Sequence, residues 1–180
     1  RFLAGAPAMD PSEFERLLRS ETDRVEWKIS VGDADGILRA VCALANDLGQ
    51  SGSPGHLLVG VTRAGEIKGA PASGPSLDEA QLLVTDRLHS TRILPTPSAD
   101  VFPVDHRGRT VLVVRVEPYP VPPVVAVDGV VFVRVGSSTR KATDADLARL
   151  LEAALKALAG PKPDEAELER IDAAVEEALC

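Results

Sequence analysis

Val25-Glu26-Trp27-Lys28-Ile29-Ser30 alternates apolar with polar side chains, the period of a half-buried strand. Val25, Trp27 and Ile29 share one face of it, and Glu26 and Lys28 share the other. Upstream, Asp10-Pro11-Ser12-Glu13 is a helix start, and Phe14, Leu17 and Leu18 supply a short apolar stripe. Downstream, Gly32 to Gly36 forms a loop. Ile37, Leu38, Val41, Cys42, Leu44, Ala45 and Leu48 then trace a broad helical face that ends near Gly49. His56 to Val61 follows as a short, mostly apolar strand, and Ala64-Gly65 turns the chain back. Around the quoted strand the order is therefore helix, strand, helix, strand.

The remainder extends this pattern. Ser76 caps a further helix with Glu79 as its box partner, and Leu82, Leu83 and Leu88 are expected to point inward. Val101–Val104 and Thr110–Val116 flank His106-Arg107-Gly108-Arg109 as a hairpin. The prolines between Glu117 and Pro123 require an extended loop. Val124–Val127 and Val130–Val135 suggest a second hairpin around Asp128-Gly129. Thr143 caps a helix through Leu147, Leu150, Leu151 and Leu158, which Gly160-Pro161-Lys162-Pro163 breaks. A last helix would align Leu168, Ile171, Val175 and Leu179. The pattern predicts an α+β or mixed-sheet domain over residues 10–160 with a C-terminal helical appendage, the acidic helix 161–180. Residues 1–9 are assigned to a linker or an expression remnant.

A hydrophobic fraction of 44% and a charged fraction of 26% are ordinary for a globular chain. No apolar run is long enough to span a bilayer, and no export signal is evident, so a cytoplasmic protein with no membrane partner is expected. Cys42 and Cys180 have no zinc-ligand spacing, and Cys42 is expected in the core. The net charge of −7 is unevenly spread. Residues 161–180 hold seven acids and two bases, which puts −5 there and leaves −2 on the body. A nearly neutral body can carry a local basic patch.

Arg134, Arg140 and Lys141 flank Gly136-Ser137-Ser138-Thr139, whose small residues let backbone N–H groups approach a phosphate. The plainer reading is a strand-to-helix connection leading to the Thr143 cap, and the two are compatible. His56, His89 and His106 show no metal spacing, and no Walker-type loop occurs. One Trp, one Tyr and four Phe are too few for recognition by base-stacking platforms.

Three segments in order resemble the Schlafen AlbA-2 domain family. Glu21-Thr22-Asp23-Arg24-Val25-Glu26-Trp27-Lys28 is similar to the family's Glu, four residues, Glu-aromatic-Lys. Val41-Cys42-Ala43-Leu44-Ala45-Asn46, followed by Leu57-Leu58-Val59-Gly60-Val61, looks like its Ala-Phe-Ala-Asn-Thr and Ile-Gly-Val strand. Phe132-Val133-Arg134-Val135-Gly136-Ser137-Ser138-Thr139-Arg140 is close to its Tyr-Ile-Arg-x-Gly-Ser-Ser-Thr. The resemblance implies a mixed, mostly antiparallel sheet packed with helices, in a domain often found in bacterial regulators and associated with DNA or RNA binding.

In some relatives the two glutamates and an aspartate after Ile-Gly-Val bind a divalent metal and cut RNA. Glu21 and Glu26 fall on the glutamate positions, whereas the aspartate positions read Thr62 and Arg63. An Arg there repels a metal and attracts phosphate, unless Asp47 or Glu66 supplies a substitute carboxylate.

The first expectation is thus a nucleic-acid-binding domain contacting phosphates through Arg134, Ser137, Ser138, Thr139, Arg140 and Lys141, aided by Lys28 and Arg63. The second is a Mg²⁺- or Mn²⁺-dependent endoribonuclease with Glu21 and Glu26 as ligands and Lys28 beside them. The third is a protein-interaction module that forms a homo-oligomer through the C-terminal helix.

Overall fold

The computed structural model describes residues 9–70, 75–119 and 124–160. Helix α1 (Pro11–Leu17) starts where Asp10 accepts from the N–H of Ser12 and Glu13. Strand β1 (Val25–Lys28) leads to α2 (Ala34–Asn46), capped by the Asp33 carboxylate on Gly36 N–H. Strand β2 (Gly55–Val59) then precedes α3 (Leu77–Leu88), which opens on the full Ser76–Glu79 capping box. Two residues, Ile93–Leu94, form β3. Strands β4 (Ala99–His106) and β5 (Arg109–Val116) make the expected hairpin, and β6 is Ala126–Val127. After β7 (Phe132–Val135) and β8 (Ser138–Lys141), Thr143 caps α4 (Asp144–Ala159).

The main sheet runs in the order β1-β2-β5-β4. Only β1 and β2 pair in parallel, with α2 as their crossover; β2 with β5 and β5 with β4 are antiparallel. Alternation along β2 divides the core. Leu57 and Val59 pack under α2 and α3 with Ile37, Leu38, Val41, Leu44, Val84 and Leu88. Leu58 packs on the opposite face with Phe14 and Leu17 of α1, Trp27, Phe102 and Val113. The sheet is therefore covered on both faces, with helices as the outer layers.

Several sequence expectations are corrected. β1 stops at Lys28 and Ile29 is 56% exposed, while Glu26, expected on a solvated face, is buried. α2 ends earlier than Gly49, at Asp47, which adopts left-handed φ 41°. α3 faces the core with Ala80, Val84 and Leu88, leaving Leu82 and Leu83 outside. Along α4, Leu150 is buried but Leu151, Leu155 and Leu158 are exposed.

Asp128-Gly129 does turn the chain, with positive φ at both residues, but the strands around it part. β6 pairs with β3, and β7 pairs with β8 across a two-residue Gly136-Ser137 turn. Gly136 sits at φ 57°, a left-handed value that suits the first position of such a turn. The segment read as a strand-to-helix connection is thus the second strand of a hairpin. Pro120–Pro123 and the acidic segment 161–180 lie outside the described residues. No described helix is long and apolar enough to cross a membrane.

Candidate nucleic-acid interface

One cleft of about 510 Å³ brings together most of the residues singled out from the sequence. The connection into β1 contributes Glu21, and β1 itself contributes Glu26 and Lys28. The turn after β2 contributes Arg63, and the β7–β8 hairpin contributes Arg134, Ser137, Ser138 and Thr139. Asp33 and Arg39 of the α2 region complete its charged lining.

Gly60 sets the position of Arg63. It ends β2 at φ 106°, and a side chain there would meet the backbone of Gly69 at 2.6 Å. Its N–H donates to Lys28 O at 2.8 Å, which ties the exit of β2 to β1. Thr62 then closes a turn, its hydroxyl accepting from Glu66 N at 3.2 Å and its carbonyl from Gly65 N at 2.9 Å. Arg63 lies exposed at this turn and has no ion-pair partner among the described residues.

Arg134 is the centre of the cleft's polar network, with only 1% of its side chain exposed. Its Nη1 donates to Glu26 Oε2 at 2.6 Å and to Thr139 Oγ1 at 3.0 Å. Its Nη2 donates to Glu21 Oε1 at 3.2 Å and to Val25 O at 2.8 Å, and Nε donates to Thr22 O at 2.5 Å. A guanidinium has five N–H donors, and every one of them finds an acceptor within the protein. Arg134 therefore holds the site's carboxylates; it has no donor left for a phosphate.

The glutamates are correspondingly occupied. Glu26 Oε2 also accepts from the Thr139 hydroxyl at 2.7 Å, and Oε1 lies 3.2 Å from Lys28 Nζ. Glu21 Oε1 accepts from Trp27 N–H at 3.0 Å besides Arg134. Lys28 reaches Asp33 at 3.5 Å.

This donor set does not fit a divalent cation such as Mg²⁺ or Mn²⁺, because a buried guanidinium already stands between the two carboxylates. Neither substitute carboxylate lines the cleft. Asp47 pairs with Arg24 at 3.3 Å, and Glu66 pairs with Lys68 at 3.0 Å. Among the described residues no three His, Cys, Asp or Glu side chains gather around a metal position.

Two of the expected phosphate contacts lie elsewhere. Arg140 donates to Asp146 at 2.6 Å inside the α4 capping box. That guanidinium, with the Thr143 N–H and hydroxyl, holds the Asp146 carboxyl well below the usual carboxylate range. Lys141 is exposed at the end of β8 and does not line the cleft. The sequence reading missed Asp33 and Arg39 as cleft residues. Asp33 had a legible signal, since it stands three residues ahead of Gly36 as a cap does. Arg39 stacks its guanidinium 5.5 Å from the Phe132 ring centroid, a contact with no sequence signature.

The family model described as Schlafen, AlbA_2 matches residues 21–143, from the first cleft glutamate to the cap of α4. The chain belongs to the Schlafen AlbA-2 family. No curated protein matches it. Among solved structures it is similar to the DIP2311 protein from Corynebacterium diphtheriae, at 21% identity and a TM-score of 0.53. That match covers 79% of this chain and 32% of the other, so the chain spans about a third of that protein's length and shares its fold. It is also similar to the N-terminal domain of a RecG-related protein from Nitrosomonas europaea, at 22% identity and a TM-score of 0.46, covering 71% of this chain and 92% of that one. Within this Schlafen AlbA-2 domain, the matched span contains every lining residue of the cleft.

Proposed function

We propose that this Schlafen AlbA-2 domain binds nucleic acid by the sugar–phosphate backbone, through the cleft between the Thr62–Glu66 turn and the β7–β8 hairpin. The observation that carries this reading is Arg63. It is exposed, has no ion-pair partner among the described residues, and lines a cleft whose glutamates are already neutralised by Arg134 and Lys28. Four cations against three carboxylates leave the lining with a positive excess. The exposed Ser137 and Ser138 add hydroxyl donors on the hairpin. Contacts of this kind position a strand without reading its bases, so weak sequence preference and steep salt dependence are expected.

Labelled tRNA and duplex DNA run in one gel series, with Mn²⁺ or with EDTA at low and moderate salt, test this reading. Retarded, uncut bands in both metal conditions, weakened by salt and by Arg63→Ala, are expected. Metal-dependent fragments abolished by Glu26→Gln would instead establish a nuclease, and absence of any retardation would overturn the binding role.

A further inference from the structure

A second depression, of about 370 Å³, opens beside α1 and the connection from α1 to β1. Arg16, Arg19, Arg24 and His56 line it, with the hydroxyl-bearing Ser20 and Ser53, and no acid does. The carboxylates that touch these bases are Glu13, 4.0 Å from Arg16 and 3.9 Å from His56, and Asp47, 3.3 Å from Arg24. Neither belongs to the lining.

Arg24 is anchored by Nη1 on Leu44 O at 2.7 Å and Nη2 on Ser53 O at 2.6 Å. Its Nε nevertheless has no hydrogen-bond partner among the described residues, and neither has Nε2 of His56, although both atoms are buried. The carboxylate oxygen nearest to His56 Nε2 is Glu13 Oε1 at 3.9 Å, beyond hydrogen-bond reach. The His56 side chain is 7% exposed. Buried polar atoms are nearly always hydrogen-bonded, so two orphans beside one arginine-lined pocket point to an acceptor from outside the chain. His56 sits on β2 directly across from Arg115 of β5. Burial, then the charges of Arg115, Arg24 and Arg16, push its imidazole down to about 4. The ring is thus uncharged at neutral pH and keeps one N–H to donate.

We propose that this pocket is an anion site that takes a phosphate group, with Arg16 and Arg19 at its exposed edge and His56 and Arg24 within. Guanidinium groups suit this ligand because their forked donors match two phosphate oxygens at once. The group could belong to a nucleic-acid backbone or to a free phosphorylated compound; the pocket chemistry is the same. The proposal does not depend on the cleft, although the same connection borders both cavities through Thr22 and Val25.

The test follows the His56 ring resonances while inorganic phosphate, and separately a short single-stranded oligonucleotide, is added at constant ionic strength. A saturable shift that chloride does not produce, lost in Arg16→Ala/Arg19→Ala, is expected. These two side chains lie on the surface, so the variant keeps the fold, which its unfolding midpoint checks. Saturation by inorganic phosphate assigns the site to free phosphate groups, and saturation by the oligonucleotide alone assigns it to a backbone. No saturable shift with either probe, or a shift unchanged in the double variant, overturns the site. Arg63→Ala should leave the phosphate shift intact, so failure of the cleft and failure of this pocket are distinguishable.

Discussion

Arg134 has almost none of its side chain in water, and its place there depends on the two carboxylates and two carbonyls that surround it. Removing one partner of such a buried set strands the other, at a cost of about 3–5 kcal/mol. Arg134→Ala should therefore lower unfolding stability by about that amount, measured by urea denaturation, with buried Glu26 left to Lys28 and the Thr139 hydroxyl alone. A loss below about 1 kcal/mol would mean that the network behaves as a solvated surface pair. His56 gives a second residue-scale outcome. Its folded-state value near 4 lies below its ordinary 6.5, so the unfolded chain takes up the proton first as pH falls. Stability from this group is complete above pH 6.5 and declines towards pH 4, by at most about 3 kcal/mol. The slope of unfolding midpoint against pH over that window should flatten in His56→Gln; an unchanged slope would assign the acid sensitivity to other groups. The sequence revealed Arg134 and His56 as charged or polar positions. It could not reveal that one is sealed against two glutamates from distant segments, because burial is a property of the assembled layers.

At the scale of elements, the β7–β8 hairpin reaches the glutamates because Asn46 fixes what comes before it. Asn46 Nδ2 donates to Val125 O and Phe132 O, both at 2.9 Å, and its Oδ1 accepts from Val125 N–H at 2.8 Å. Asn46→Ala strands the Val125 N–H and leaves the Val125 and Phe132 carbonyls without their amide donor, with the weaker Cys42 thiol still near both, and a loss of about 3 kcal/mol is expected from their desolvation. Unfolding midpoints check this, and a near-neutral result would show that the hairpin holds its place without the Asn46 amide. Helix starts at Asp10, Ser76 and Thr143 were legible because a cap is a local hydrogen bond between near neighbours. Strand partnership was not. Asp128-Gly129 correctly signals a turn, but Val133 must bury against Leu48 and Leu150, and that demand joins β7 to β8 rather than to β6. The same logic misplaced Leu82 and Leu83, whose spacing suits a helix face that α3 turns away from the sheet.

For the whole molecule, the net charge of −7 conceals a described body that places seven of its Lys and Arg side chains at two cavities. In the cleft, Arg134 and Lys28 offset the glutamates and Arg63 has no ion-pair partner among the described residues, which is the basis of the phosphate contact proposed for it. The family was legible in the sequence from its three motifs, two of which line the cleft, since the family match begins at Glu21 and spans all of them. The exchange of roles among the basic residues was not, because Arg134, Arg140 and Arg63 look alike until their partners are known. The most direct measurement is the affinity of wild-type and Arg63→Ala protein for duplex DNA in EDTA across a salt series. Binding that falls steeply with salt, and a log–log slope reduced by about one in the variant, is the expected result. Affinity independent of salt, or identical slopes for the two proteins, would contradict a phosphate contact at Arg63 and with it the role assigned to the cleft.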